Sequence, residues 1–347
     1  LTSSVNWLSD GGILRHGIFA FNLFFGPFLL LPIVYLRMRD SRDYVSNLQG
    51  LLFFLIMPST LLLFSAKVFG SVANAWQAEL HTKMLAEGFY LYKLVNVYVN
   101  FLRTEVGFIL GVLICASTAI AISQVKSLYR LIAVACLLMN VFMLISTASF
   151  GSGAACFLGL SMILAIQFIN VSPAKAMISV TIICLTLVVT YIFAPASTKV
   201  YLGKRFEHRV TNADTDRFTL WGYGVDAFLE NPEGVGLSFK GSTGHFIHND
   251  YVVYAVSYGI FGGLAYFVLI AGLLFSYWKV RKKITKDPYA LAIYQAGFGA
   301  LIALAANGIT DHSNENRWYF NAIWAIIWYC FFCSLGALKR RRHQIEN

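Results

Sequence analysis

The sequence predicts an all-α, polytopic integral membrane protein. Hydrophobic residues make up 58% of its 347 residues and charged residues only 13%, which is outside the usual range of soluble globular domains. A membrane-spanning helix needs roughly 20 mostly apolar residues, and the chain contains several windows of that kind. Backbone groups in lipid must be hydrogen-bonded within their own segment, so these spans are expected to be helices. We expect a single transmembrane domain over residues 1–347.

Nine spans are predicted in this chain, with room for more upstream, because the chain starts at Leu1 rather than methionine. They lie at residues 17–36, 47–69, 106–123, 128–147, 152–171, 175–195, 250–277, 290–310 and 318–336. Basic residues concentrate in cytoplasmic loops. If the basic tail at 339–343 is cytoplasmic, the loops at 37–42, 124–130, 171–175 and 279–286 lie on the same side, and each contains Lys or Arg. These loops explain much of the net charge of +10, with lipid headgroups and not nucleic acid as partners.

The opposite side then carries the loops at 70–105, 196–249 and 311–317. Residues 70–105 mix aromatic and apolar residues with Lys93, Asn96 and Asn100. We interpret them as amphipathic helices on the outer membrane–water interface, with a re-entrant segment as the alternative.

The outer loop at 196–249 holds most of the polar residues that could carry chemistry. Residues 214–230 are predicted to form a helix that Asp214 caps and Asn231-Pro232 ends. Arg217 and Trp221 are four residues apart and share a face of it. The stretch from Pro232 to Gly236 is a glycine-rich turn that permits a close approach of the backbone.

Two imidazoles, His245 and His248, stand between this loop and the apolar stretch that begins at residue 250. A neutral imidazole can accept a proton, and a guanidinium such as that of Arg217 can hold a phosphate. The dipole of a helix that starts beside His248 disfavours the protonated ring. Together these residues indicate chemistry on a lipid-linked phosphate substrate at the membrane surface.

The order of these pieces resembles the O-antigen ligase and O-antigen polymerase superfamily of bacterial inner-membrane glycosyltransferases. The resemblance covers roughly residues 205–265, and the hydropathy layout agrees along the entire chain. Its motifs are Arg217-x-x-x-Trp221, Asn231-Pro232-x-Gly234-x-Gly236, His248-Asn249-Asp250-Tyr251 and Gly259-x-x-Gly262.

The resemblance implies an undecaprenyl-diphosphate-linked glycan as donor. His248 would be the base on the acceptor hydroxyl, and Arg217 would bind the donor diphosphate. Direct displacement of this kind inverts the anomeric carbon. No metal and no cofactor is expected, because arginines would hold the leaving diphosphate. The implied location is the bacterial inner membrane, with the site facing the periplasm or exterior and the C-terminus in the cytoplasm. Membrane lipids, a flippase and chain-length regulators are the implied partners.

The sequence departs from the family at one position. Members commonly carry Ser-Arg-Gly at the outer end of an earlier span, whereas residues 146–153 here place Phe150 where that arginine stands. Arg205, Arg209 or Arg317 could supply the missing charge, and we favour the first two because they share the loop with Arg217. The accessory candidates are His245, Asn249, Trp221, His312 and Arg317.

Three functions remain open at this point. A polysaccharide polymerase would transfer the glycan onto a lipid-linked repeat unit, and a ligase would transfer it onto lipid A-core. A transporter of a lipid-linked or anionic substrate would need ionisable residues at mid-span, which the predicted spans almost lack.

Several conspicuous residues are interpreted as structural. The pair Cys330 and Cys333 is expected to pack in the core, because Phe331-Phe332 between them supplies no polar companion. The stripe of Tyr251, Tyr254 and Tyr258 is expected to pack at the membrane interface. Gly259 and Gly262-Gly263 are expected to allow close helix packing.

Overall fold

The computed structural model of the chain describes residues 43–65, 106–147, 149–170, 215–236, 247, 249–284, 287–310 and 322–335, with scattered positions from 174 to 207. Each regular element within these residues is a helix. We number them α1 (Tyr44–Ser65), α2 (Val106–Ala121), α3 (Ser127–Thr147), α4 (Phe150–Asn170), α5 (Thr215–Glu230), α6 (Asp250–Ile284), α7 (Pro288–Thr310) and α8 (Ala322–Leu335).

Five of these helices, α1, α3, α4, α6 and α7, are long and apolar enough to cross a membrane, and α2 and α8 are shorter apolar helices. The seven correspond to the predicted spans at 47–69, 106–123, 128–147, 152–171, 250–277, 290–310 and 318–336. The predicted span at 17–36 and the predicted interfacial helices at 70–105 lie outside the described residues. The span at 175–195 is described only at scattered positions. The chain is thus an α-helical protein of the membrane-embedded class.

The centre of the bundle is α7, which packs against α2, α4 and α6. In the most apolar 18-residue stretch of α7, 78% of the residues are buried, whereas 22% are buried in the corresponding stretch of α6. The backbones of α4 and α7 come close at Gly159, where an added Cβ would lie 2.6 Å from the carbonyl oxygen of Gly299. Beside this contact, Gln167 Nε2 donates to Gln295 Oε1 over 3.0 Å. Small residues and one buried amide pair therefore fix the register of α4 on α7, as is typical of helices packed in lipid.

One end of the bundle gathers the termini of four helices, and we call it the upper end. It is formed by the starts of α2, α4 and α6 and by the last turn of α7. Asn307 Nδ2 donates to Ser152 Oγ over 3.1 Å, and Asn249 Nδ2 donates to the carbonyl oxygen of Ile309 over 3.1 Å. Gly107 leaves no room for a side chain beside Ser152. Polar side chains thus join helix ends that are far apart in the sequence.

A sharp reversal at Gly259 divides α6 into a first limb, 250–258, and a second limb, 260–284. The dihedral angles of Gly259 are φ 69° and ψ −168°, a region that is essentially restricted to glycine. Tyr254 of the first limb stacks on Tyr266 of the second, with ring centroids 4.2 Å apart. In a continuous helix these two residues would be about 18 Å apart along the axis. The first limb is therefore folded back along the second.

The prediction of a single span at 250–277 did not include this reversal. The length of an apolar stretch shows how many residues could lie in a membrane, but not whether the helix changes direction. The prediction that the glycines allow close packing is confirmed. An added Cβ at Gly263 would lie 3.0 Å from the Cβ of Ala255, and Gly262 leaves no room beside Tyr258. The two limbs approach so closely because these positions lack side chains.

The turn at 232–236 fits into the break in α6. In a continuous helix the amide of Ile260 would donate to the carbonyl of Val256. Here Ile260 N donates to Pro232 O over 2.9 Å, and Val235 N donates to Val256 O over 2.8 Å. The turn therefore satisfies both backbone groups that the break would otherwise leave open.

Only glycine fits on either side of this contact. An added Cβ at Gly234 would lie 2.5 Å from Gly259 N, and one at Gly259 would lie 2.5 Å from Pro232 O. Gly234 also has a positive φ of 95°, which disfavours any L side chain.

We predict that Gly259→Ala destabilises the protein by at least about 1–3 kcal/mol, the typical cost of forcing a side chain into such a backbone conformation. Gly272→Ala is the matched control, since Gly272 is a helical glycine of the second limb with nothing within 4 Å of an added Cβ. It should be neutral or slightly stabilising, because alanine favours helix. Thermal unfolding of both variants in detergent tests this. If Gly259→Ala and Gly272→Ala are equally stable, the reversal of α6 does not require glycine at position 259.

Candidate active site

Helix α5 confirms the helix predicted at 214–230, and Asp214, its predicted cap, lies outside the described residues. The helix packs on the first limb of α6 through a small buried cluster. The cluster consists of Ala227, Ile247, Val253 and Val256, with Trp221, Phe228, Val235 and Val252 packed around it. The predicted accessory residue Trp221 is therefore a packing residue between the two helices, and its ring also lies 5.3 Å from that of Phe218.

The contacts between α5 and the first limb also fix their relative direction. The turn that follows α5 bonds to Val256 and Ile260. An added Cβ at Gly224, earlier in α5, would touch Val252 and Ile247. Earlier residues of α5 therefore lie beside earlier residues of the first limb, and the two helices run in the same direction.

This direction bears on Arg217, whose backbone lies in α5 and whose side chain is outside the described part of the chain. Positions 217, 221, 224 and 228 are spaced by three and four residues, so they share one face. That face is the one that packs on the first limb, through Gly224 and Phe228. Position 217 is two turns, about 10 Å, before Gly224. It therefore lies on the α6-facing side of α5, towards the residues that precede the first limb.

The first limb begins with a clamp formed by Asn249. Its Oδ1 accepts a hydrogen bond from Val252 N over 3.1 Å, which caps the helix. Its Nδ2 donates to Ile309 O at the end of α7. His248, the predicted base, lies outside the described residues, but its neighbours Ile247 and Asn249 are both buried. Asn249, predicted as accessory, thus ties the start of α6 to the upper end of α7.

Asp250 is a fully buried carboxylate that the sequence analysis did not single out as a site residue. Tyr266 OH of the second limb donates to its Oδ2 over 3.4 Å. Gly308 gives it room, since an added Cβ there would lie 3.4 Å from Oδ2. The signal that could have found it is an acidic residue at the start of a long uncharged stretch, because such residues are rare in spans and mark specific roles.

A polar cluster of four side chains, Ser149, Ser152, Asn307 and Thr310, lies at the same end. Ser149 Oγ donates to Ser152 Oγ over 2.9 Å, Asn307 Nδ2 donates to Ser152, and Thr310 Oγ1 donates to Asn307 O over 3.2 Å. Sequence reasoning missed Asn307 and Thr310, because residues 155 positions apart carry no joint signal in one sequence. Phe150 directly follows Ser149, and the described cluster offers hydrogen bonds without charge.

A cavity of about 460 Å³ extends from this cluster into the bundle. It is lined mostly by apolar residues of α2, α3 and α4 and by Val180 and Cys184, with Ser149 and Phe150 at its upper end and Leu164 far below. The stretch of α4 from Phe150 to Leu164 is about 21 Å long. Phe157, another lining residue, is 68% exposed, so the cavity reaches the outer surface of the bundle. Its size is in the range of ligand sites.

Several predicted site residues lie outside the described residues. They are Arg205, Arg209, His245, His312 and Arg317. Within the described part of the chain, no group of three or more His, Cys, Asp or Glu is arranged to hold a metal ion. Cys330 and Cys333 are both buried, and Cys330 packs beside Gly297, as expected for small core residues.

No protein-family model matches the chain, and a search of curated proteins finds no match.

We predict a graded loss of stability at the Asn249 clamp. Asn249→Ser should keep the cap but lose the bond to Ile309 O, because serine is too short to reach it, at a cost of about 1 kcal/mol. Asn249→Ala should lose both bonds and about 1 kcal/mol more. Thermal unfolding of the three proteins in detergent measures the series. If Asn249→Ser and Asn249→Ala lower the unfolding temperature equally, the capping hydrogen bond contributes nothing to the stability of the protein.

Proposed function

We propose that the protein is a membrane glycosyltransferase that uses undecaprenyl-diphosphate-linked glycan as donor. It would transfer the glycan onto a sugar hydroxyl of a lipid-linked repeat unit, as a surface-polysaccharide polymerase does. In this proposal the chain crosses the bacterial inner membrane nine times, with the 196–249 loop on the periplasmic or exterior side. Its C-terminus is cytoplasmic, and a flippase and chain-length regulators supply and limit the substrate.

The observation that carries the proposal is the packing of α5 on the first limb of α6. Four motif pieces led to the family resemblance, and two of them, the turn at 232–236 and Gly259, are in direct contact. The other two contain Arg217 and His248. Position 217 is on the face of α5 that meets the first limb, and His248 directly precedes the capping residue of that limb. An arginine for the diphosphate and a base for the acceptor are thereby carried by two elements packed side by side.

The proposed chemistry assigns a separate task to each residue. A sugar hydroxyl is a poor nucleophile and gains from proton removal by His248 as it attacks the anomeric carbon. The new bond forms between that hydroxyl oxygen and the anomeric carbon, while the bond to the diphosphate oxygen breaks with inversion. Undecaprenyl diphosphate leaves with the electron pair. Its charge is held by the planar guanidinium of Arg217, with Arg205 or Arg209 as second cation.

The apolar cavity supports the lipid part of the proposal. A polyprenyl chain is a branched hydrocarbon, and it would need an apolar channel that leads to a polar site. The cavity below Ser149 and Phe150 has this form, and its exposed side at Phe157 would allow entry from the membrane. Ser149, the member of the polar cluster that lines the cavity, ends it with a hydroxyl group and not with a charge.

We predict that His248→Ala and Arg217→Lys each lower activity by at least about 100-fold, the lower end of what a general base contributes. Lysine should fail at position 217 because an ammonium cannot form the two parallel bonds of a guanidinium. The matched control is Asp226→Ala, an exposed residue on another face of α5, which should be fully active. The measurement is complementation of a strain lacking the protein, read from its surface-polysaccharide gel pattern after equal membrane levels are confirmed.

The null strain distinguishes the two acceptors. A single repeat unit on lipid A-core, matched by both variants, supports the polymerase. Long chains retained on undecaprenyl diphosphate would instead identify a ligase with the same donor chemistry. Normal long chains from both variants would refute the roles of His248 and Arg217.

We further predict that Gly153→Leu impairs use of the lipid-linked donor. Gly153 lines the cavity, and an added Cβ there has nothing within 4 Å, so a leucine side chain would begin in open space and reduce the cavity. Gly272→Leu adds the same bulk at an exposed site of α6 and is the control. The expected result is a raised KM for donor in membranes with unchanged thermal stability. An unchanged KM would exclude the cavity as the donor's lipid site.

A further inference from the structure

Helix α5 has an apolar stripe that no described part of the protein covers. Phe218 is 66% exposed, Val225 46% and Leu229 68%, and Gly222 between them is also exposed. The four positions are separated by four, three and four residues, so they form one line along the helix. We call this line the α5 stripe.

The remaining two faces of α5 have clear environments. One face, with Gly224, Ala227 and Phe228, packs on the first limb of α6. Another face carries the exposed polar residues Asp226 and Glu230, which suit water. The stripe lies between them and is neither packed nor polar. Exposed apolar surface of this kind marks contact with a partner or a membrane.

The stripe continues into the apolar outer surface of α6. Beside the corner, Phe261 is 83% exposed and Ile260 56%. Leu264, Phe267 and Val268 extend the same exposed surface down the second limb. In a helix long and apolar enough to span a membrane, we expect this surface to face lipid.

The end of the stripe is close to the top of that surface. Leu229 precedes Pro232 by three residues, a chain length of at most about 11 Å. The carbonyl of Pro232 accepts the hydrogen bond from Ile260 N. The two apolar surfaces are therefore neighbours and not separate patches.

We propose that α5 is an interfacial helix whose stripe is inserted into the membrane leaflet at the upper end of the bundle. Its occupant is lipid, because the stripe continues a lipid-facing surface and a polar face lies on the other side of the same helix. A helix with this division of faces places its apolar side in lipid and its polar side in water. The inference does not depend on the proposed function. If the stripe lies in the leaflet, a substrate that binds against α5 binds at the depth of the lipid headgroups.

The test uses spin labels on the full-length protein in phosphatidylethanolamine–phosphatidylglycerol nanodiscs. Single substitutions Val225→Cys and Leu229→Cys label the stripe, and Asp226→Cys and Glu230→Cys are matched controls from the polar face. Each is made on a Cys184→Ser background, since Cys184 is exposed and the other five cysteines are buried. Power saturation with oxygen, which partitions into lipid, and with a water-soluble nickel chelate reports the surroundings of each label.

We expect labels at 225 and 229 to collide more with oxygen than with nickel, and labels at 226 and 230 to show the inverse ratio. Nickel accessibility at all four positions would overturn the proposal, because the helix would then stand in water. Protection of positions 225 and 229 from both reagents would also overturn it, because a protein surface and not lipid would then cover the stripe. Thermal unfolding of each labelled protein confirms that the ratios come from the folded state.

Discussion

The arrangement of the upper end depends on one exchange of hydrogen bonds. The break at Gly259 opens a donor at Ile260 and an acceptor at Val256, which would be costly to leave unpaired away from water. The turn at 232–236 satisfies both, and in doing so it anchors the loop helix α5 to α6. The same two hydrogen bonds therefore support both the reversal of α6 and the attachment of α5.

This exchange gives the sequence motifs a physical meaning. Gly234 of the first motif and Gly259 of the second are separated in the sequence but serve a single contact, where an added side chain would meet backbone at 2.5 Å. Arg217 and His248 belong to the elements that this contact holds together. The same corner brings Asp250, the first residue of the first limb, against Tyr266 of the second limb. Asp250 also lies beside the last turn of α7. Chemistry at the upper end would thus depend on packing that lies outside the reacting groups.

The two kinds of surface at the upper end are complementary. Below the polar cluster, the cavity is apolar and leads along α4 towards the lipid depth of the bundle. Beside it, the cluster itself is built from hydroxyl and amide groups whose hydrogen bonds join α4 to α7. An amphiphilic molecule in the cavity would have an apolar path that ends at the Ser149 hydroxyl. Phe150, next to Ser149, adds an apolar side chain to this end of the cavity.

The sequence by itself determined the all-helical membrane class, the position of each described apolar helix except α6 to within a few residues, and the helix at 214–230. These follow from local composition and periodicity, which one sequence records. It also indicated that the glycines serve close packing. Only the tertiary structure decided that α6 reverses at Gly259, that the 232–236 turn fills the break, and that Ser152 meets Asn307. Those outcomes depend on pairs of residues from distant segments, and hydropathy carries no information about which segments meet or in which direction a helix continues after a break.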